Sequence, residues 1–145
     1  HGFHDLSSII LKKGFTCSAF DLLHAGHIAM LEEAKSQCDH LIVGLQTDPT
    51  IDRPEKNKPV QTIIERYIQL KGCKYVDEII PYQTEADLMD LIKVLNFDVR
   101  IIGEDYLEKD FTGKQYCLDN SIPIYYNSRQ HTFSTSDLRQ RIQDS

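Results

Sequence analysis

Short β-branched or aliphatic runs alternate along this chain with longer stretches in which apolar residues recur at helical spacing. The runs at 14–18, 41–45, 76–80, 99–102 and 124–126 predict strands, and the stretches 26–37, 61–72, 84–96, 112–120 and 134–142 predict helices. Strand and helix in alternation is the signature of an α/β fold. The expected architecture is a Rossmann-like, doubly wound sheet of about five parallel strands, with right-handed crossovers wrapping helices on both faces. Ligands in such sheets sit beyond the carboxyl ends of the strands, where strand order reverses, so the strand-to-helix junctions are the places to look for chemistry.

Several boundaries carry a mechanism. Thr84-Glu85-Ala86-Asp87 offers a hydroxyl cap with carboxylates in the first helical turn, and Ser134-Thr135-Ser136-Asp137 repeats the device before the last predicted helix. The stretch Thr47 to Pro59 holds Pro49, Pro54 and Pro59 among polar residues, which excludes a continuing helix or a central strand and predicts a long exposed loop. A loop of that length in a compact domain is commonly functional.

The chain has 145 residues, enough for one domain and no second catalytic one. Residues 1–12 precede the first strand as an extension without an assigned role, and 13–145 form the domain. A net charge of −6 argues against a general nucleic-acid binder, which would present a basic face. It does not argue against a small phosphorylated ligand, because a local cluster of cations and backbone N–H groups makes a positive pocket in an acidic protein. The longest apolar runs, such as Leu41-Ile42-Val43, fall far short of the ~20 residues a membrane span needs, so no membrane insertion is expected. Cys17, Cys38, Cys73 and Cys117 are scattered without Cys-x-x-Cys spacing, and residues 1–8 show no secretory pattern; a reduced, cytoplasmic thiol set is the expectation.

The sharpest chemical signal is Phe20-Asp21-Leu22-Leu23-His24-Ala25-Gly26-His27, between the first strand and the first helix. Two histidines three apart at a helix start project toward one site, and Gly26 removes a side chain where a phosphate would approach the backbone. Two imidazoles beside free helix N–H groups suit a polyphosphate whose negative charge grows in the transition state. A purely structural histidine pair and half of a metal site are the other readings of the same spacing, the second weakened by the lack of a further ligand pair.

The segment Thr16-Cys17-Ser18-Ala19-Phe20-Asp21-Leu22-Leu23-His24-Ala25-Gly26-His27 resembles the H-x-G-H signature of the cytidylyltransferase-like nucleotidyltransferases, most closely the glycerol-3-phosphate cytidylyltransferase type. The resemblance continues through Glu65-Arg66, Val76-Asp77-Glu78-Ile79-Ile80-Pro81, Ile102-Gly103-Glu104-Asp105-Tyr106, and Arg129 followed by Ser134-Thr135-Ser136. It implies transfer of CMP from CTP to a phosphorylated small alcohol, glycerol 3-phosphate first among them, by direct attack on the α-phosphorus with release of pyrophosphate. His24 and His27 then stabilise the reacting phosphorus, with Arg129 on the triphosphate. Thr16, Cys17, Ser18, Phe20, Asp21 and Gly26 line the nucleotide site, and Ser134, Thr135 and Ser136 hold phosphates at the last helix start. Glu104 takes the base, since a carboxylate accepts from an exocyclic amino group. Lys56, Lys58 and Arg66 are the candidate contacts to phosphates of either substrate. Mg2+ is expected to arrive with the nucleotide, keeping waters and needing few protein ligands.

The chain departs from the family pattern at Ser18, where Gly is usual, and at Arg129-Gln130-His131-Thr132, which lacks the usual Gly. Families sharing the H-x-G-H element use ATP instead, among them the FAD synthetases, the pantetheine-phosphate adenylyltransferases and the ADP-heptose-forming enzymes. An adenylyltransferase of the same fold is therefore the alternative, together with a nucleotide-binding module without catalysis. Ile64, Ile68, Leu88, Leu91, Ile92 and Leu95 are core by default, or part of the homodimer interface that the resemblance implies.

Overall fold

The computed structural model describes residues 11–128. Arg129, Ser134, Thr135, Ser136 and the predicted helix 134–142 lie outside the described residues. Five strands, β1 (Lys13–Ser18), β2 (His40–Gln46), β3 (Glu78–Tyr82), β4 (Val99–Gly103) and β5 (Ile124–Asn127), form one sheet in the order β3-β2-β1-β4-β5. Every pairing is parallel. The helices are α1 (Ala25–Lys35), α2 (Ile63–Lys71), α3 (Glu85–Val94) and α4 (Lys114–Asp119), with single 3-10 turns at Pro49–Ile51 and Glu104–Tyr106. The expected doubly wound α/β sheet is the observed one.

Strand alternation divides the core into two layers. Leu41, Val43, Leu45, Val99 and Ile101 face one side with Leu31 and Ala34 of α1 and Leu70 of α2. Phe15 and Ile42 face the other with Leu88 and Ile92 of α3 and Cys117 of α4. Gly44 serves a close approach between strands, because a Cβ there would lie 2.9 Å from that of Cys17 and 3.2 Å from the Tyr82 ring. The chain builds outward from β1 to β3, then returns to the far side of β1 for β4, so strand order reverses between β1 and β4. That switch point puts Ser18 and Gly103, the last residues of two neighbouring strands, on either side of a ligand crevice.

The boundaries follow local chemistry. Thr84 and Asp87 cap α3 reciprocally, with both bonds at 3.1 Å, and Thr62 and Glu65 do the same for α2. Three details correct the sequence expectations. The third strand starts at Glu78 rather than Val76 and runs through Pro81, which an edge strand tolerates because one side of its ladder is unpaired. The proline loop is not wholly irregular: Pro49, buried, opens a helical turn whose cap is Asp48 Oδ1, accepting from Thr50 N at 2.9 Å. Ile64 and Ile68 are not core; they are 67% and 64% exposed. The face that α2 buries carries Arg66 and Leu70, so the intervening positions turn outward.

Candidate active site at the β1–α1 junction

The turn from β1 to α1 holds its residues in conformations that side chains rarely adopt. Phe20 and Leu22 both have φ of 50°, in the left-handed region that costs a non-glycine residue about 1 kcal/mol or more. Phe20 is 1% exposed; its ring is an anchor in the α1/α2 core layer and sits 5.7 Å from the His27 ring.

His24 is the N-cap of α1, and the two histidines cap the helix together. His24 Nδ1 accepts from Gly26 N at 3.0 Å, and His27 Nδ1 accepts from His24 N at 3.2 Å. Their rings lie 4.1 Å apart, centroid to centroid. An Nδ1 that accepts a hydrogen bond carries no proton, so each neutral ring holds its proton on Nε2. The cap thereby selects the tautomer, and neither Nε2 has a hydrogen-bond partner among the described residues. Two N–H donors and a helix N-terminus at one junction form a site for an anion. Burial favours the neutral form of both rings: desolvation pushes His24 down, and it lowers His27 to about 4 with help from the neighbouring His24, opposed by Asp21.

Asp21 and Arg66, expected on substrate, are braces in this structure. Both carboxylate oxygens of Asp21 accept backbone N–H bonds, from Gln61 and Val60 at 2.9 Å each. Arg66 is 2% exposed, and its guanidinium donates to four carbonyls: Gln61 O at 3.2 Å, Ala19 O at 3.0 Å, Gln46 O at 2.6 Å and Thr47 O. Only one of its five N–H groups is left over. Desolvation lowers its affinity for the proton, and the nearby Asp21 and Asp48 oppose that. Arg66 thus ties three segments together: the signature turn, the end of β2 and the start of α2.

The remaining predicted residues are spread over β1, the start of α1, the turn after β4 and the proline loop. Thr16 is buried in the strand, Cys17 is half-buried on the α3/α4 side, and Ser18 is exposed at the crevice. Gly26 is buried at the start of α1. Glu104 opens the turn after β4, across the switch point from the histidines. Lys56 and Lys58 are exposed in the proline loop.

Sequence reasoning missed a polar network on the α3/α4 face. Glu85 accepts from Thr112 Oγ1 at 2.8 Å and Gln46 Nε2 at 3.3 Å, and pairs with Arg53 at 3.6 Å. Arg100, on β4 and 2% exposed, donates to Thr112 O at 2.8 Å and to Cys17 Sγ at 3.6 Å, with its guanidinium over Phe15 and Phe111. The Nε atoms of Arg53 and Arg100 are buried without partners. An Arg inside a β-branched strand run was the available signal. An open cleft of about 410 Å³ lies apart from the histidines, lined by Thr47, Pro81, Tyr82, Gln83, Asp87 and Leu91. Among the described residues no group of three or more His, Cys, Asp or Glu could hold a metal ion, and no helix is long and apolar enough to cross a membrane. All four cysteines are free thiols.

A five-stranded parallel sheet in this order, with a histidine-capped helix at its switch point, defines a Rossmann-like α/β domain. The sequence model of the cytidylyltransferase-like family matches residues 15–141, and the chain belongs to that family. It is 35% identical over 132 residues to the bifunctional protein HldE of Helicobacter hepaticus, covering 90% of this chain and 26% of that protein. With the bifunctional protein HldE of Caulobacter vibrioides it shares 35% identity over 133 residues, 91% of this chain and 27% of that one. The chain therefore spans about a quarter of the length of these curated relatives. Among solved structures, a lipopolysaccharide core biosynthesis protein from Thermoplasma volcanium superposes with a TM-score of 0.68 at 26% identity, covering 82% of this chain and 98% of that one. A pantoate-beta-alanine ligase from Francisella tularensis shares the fold, with a TM-score of 0.53 at 20% identity over 97% of this chain and 74% of the other.

Proposed function

We propose that this domain transfers AMP from ATP to a sugar phosphate, with release of pyrophosphate. The observation that carries the reading is the 35% identity, over nine-tenths of the chain, to the HldE proteins. We infer from it that the chain lies on the ATP-using side of its family, beside the ADP-heptose-forming enzymes. The family's description as cytidylyltransferase-like favours a second reading, CMP transfer from CTP to glycerol 3-phosphate. Glu104 serves both, because adenine and cytosine each present an exocyclic amino group to a carboxylate.

The chemistry is the same in either case. An acceptor phosphate oxygen attacks the α-phosphorus in line, a P–O bond forms to it, and the bond to the pyrophosphate oxygen breaks. His24 and His27 donate from Nε2 to the phosphoryl oxygens as charge develops, and the cap at Nδ1 keeps those donors aimed. No covalent enzyme intermediate is needed. On this reading Ser18, with Thr16, Cys17 and Gly26, belongs to the nucleotide site, and Arg129, Ser134, Thr135 and Ser136, outside the described residues, keep the triphosphate role that the family resemblance implies. Lys56 and Lys58 reach for phosphates from the proline loop. Mg2+ arriving with the nucleotide would help neutralise the phosphates, and needs few protein ligands. The exposed Ile64 and Ile68 on α2 are the face we propose for pairing with a second copy.

The test is pyrophosphate release with each nucleoside triphosphate and Mg2+ against a panel of sugar phosphates and phosphorylated alcohols. Turnover with ATP and a sugar phosphate is expected. Preference for CTP with glycerol 3-phosphate would replace the leading reading by the second, and binding without turnover for any pair would make the domain a nucleotide sensor.

A further inference from the structure

We propose that Gln61 is the positioning residue of the histidine pair, holding the Leu22 amide through its side-chain carbonyl and so fixing the turn that presents His24 and His27. The inference deepens the nucleotidyl-transfer reading and rests on it for its kinetic arm alone.

The signature turn is clasped from outside by one short piece of chain at the start of α2. Arg66 Nη1 donates to Ala19 O at 3.0 Å, the N–H groups of Val60 and Gln61 donate to Asp21, and Leu22 N donates to Gln61 Oε1 at 2.8 Å. Asp21 and Gln61 thus form a reciprocal pair: each side chain accepts from the backbone on the other's segment. The bond to Leu22 falls where the backbone is strained, at φ 50°, and a strained turn relaxes when its restraints are released. Leu22 lies two residues before His24, whose backbone N–H holds His27 Nδ1. A turn that rotates at Leu22 therefore carries both rings with it.

Among these restraints Gln61 is the one that can be removed cleanly. Arg66 also holds Gln46 O and Thr47 O, so its loss disturbs the end of β2 as well. Asp21 acts electrostatically on His27, raising its proton affinity while His24 lowers it, so its loss changes charge as well as geometry. The Gln61 side chain bonds only to Leu22 among the described residues, and its backbone N–H keeps Asp21 whatever the side chain is.

Gln61→Met keeps the length and removes the acceptor; Gln61→Glu keeps an acceptor oxygen. Displacing catalytic donors by about 1 Å costs ~100-fold in rate, so Gln61→Met is expected to lower kcat by that order while nucleotide Kd, by calorimetry, stays within about threefold. Gln61→Glu should restore most of kcat. Independently of turnover, ring nitrogen shifts by NMR should show both wild-type histidines protonated on Nε2 when neutral, with His27 titrating near 4. In Gln61→Met the tautomers should mix and the His27 midpoint should climb toward 6.5, and in Gln61→Glu, whose added negative charge itself raises the midpoint, the Nε2 tautomers should return. If Gln61→Met does not fold, Gln61→Ser, which opens the Leu22 amide to water, carries the same measurements. Wild-type kcat together with an unchanged His27 titration in the acceptor-free variant would overturn the proposal. Absence of turnover in the wild type with every nucleotide would overturn the transfer reading instead, leaving the titration to decide the role of Gln61.

Discussion

The signature turn, residues 19–27, and the tip of the proline loop, residues 54–58, belong to the same carboxyl edge of the sheet and meet at Val60 and Gln61. In the turn, both carboxylate oxygens of Asp21, the amide of Leu22 and the carbonyl of Ala19 are engaged by α2 and its approach, and the histidines cap a helix. At the tip, Pro54, Glu55, Lys56, Asn57 and Lys58 are all exposed, and the loop is held at its root by Asp48, Arg53 and the Arg66 brace. Under the proposed function, the difference separates two ways of meeting a phosphate. Groups that must donate to a developing charge are set in advance by backbone geometry, because any reorganisation during reaction would add to the barrier. Groups that capture a substrate need only charge and reach.

Four measurements test that division, in descending order of effect. His27→Ala should lower kcat about 1000-fold, the order seen when a transition-state donor is removed, at a folding cost of only about 1 kcal/mol for half of the cap. A rate within tenfold of wild type in a pyrophosphate assay would remove the histidine from the chemistry. Arg66→Met should destabilise the fold by about 3 kcal/mol in urea denaturation, since it orphans carbonyls on three segments. An unchanged midpoint would show that the brace is dispensable and return Arg66 to the substrate contacts.

The third test is pH. His27 has a folded pKa near 4, below its unfolded value of 6.5, so between those values the unfolded chain binds more protons. Its stabilising contribution is complete above 6.5 and is lost as pH falls toward 4, amounting to about 2 kcal/mol once residual solvent exposure is counted. Denaturation midpoints flat across that window would break the capping account. The smallest effect belongs to the loop tip. Lys56→Ala with Lys58→Ala should move stability by no more than about 0.5 kcal/mol, while raising KM about threefold at low salt and less at high salt, because exposed charges are screened. A large loss of stability would show the tip to be as tightly held as the turn.

Much of this was legible along the chain. Short aliphatic runs and helical-period stretches located all five strands and the first four helices, because the inner strands bury both faces between two helical layers while each helix buries one. The Thr84 cap was readable, since its partner Asp87 is three residues away, and so was the histidine pair. Ile64 and Ile68 misled: their apolar character suggested core, but Arg66 takes the inward phase of α2. Arg66 was not readable as a buried group, because the carbonyls that receive it come from distant segments; for Arg100 the strand run hinted at burial, but its partners on Thr112, Phe15 and Phe111 were not in view.

The sequence by itself determined the alternation of elements, the junction that bears the histidines and the kind of chemistry two imidazoles at a helix start can perform. These are local properties, set by spacing within a turn or a strand. Tertiary structure decided which polar groups are engaged within the fold. It turned Arg66 inward onto four carbonyls, gave Asp21 to two backbone amides about 40 residues away, and placed Gln61 on Leu22. The reason is physical: a buried polar group must find a partner, and which partners are within reach is known only once the sheet has brought the segments together.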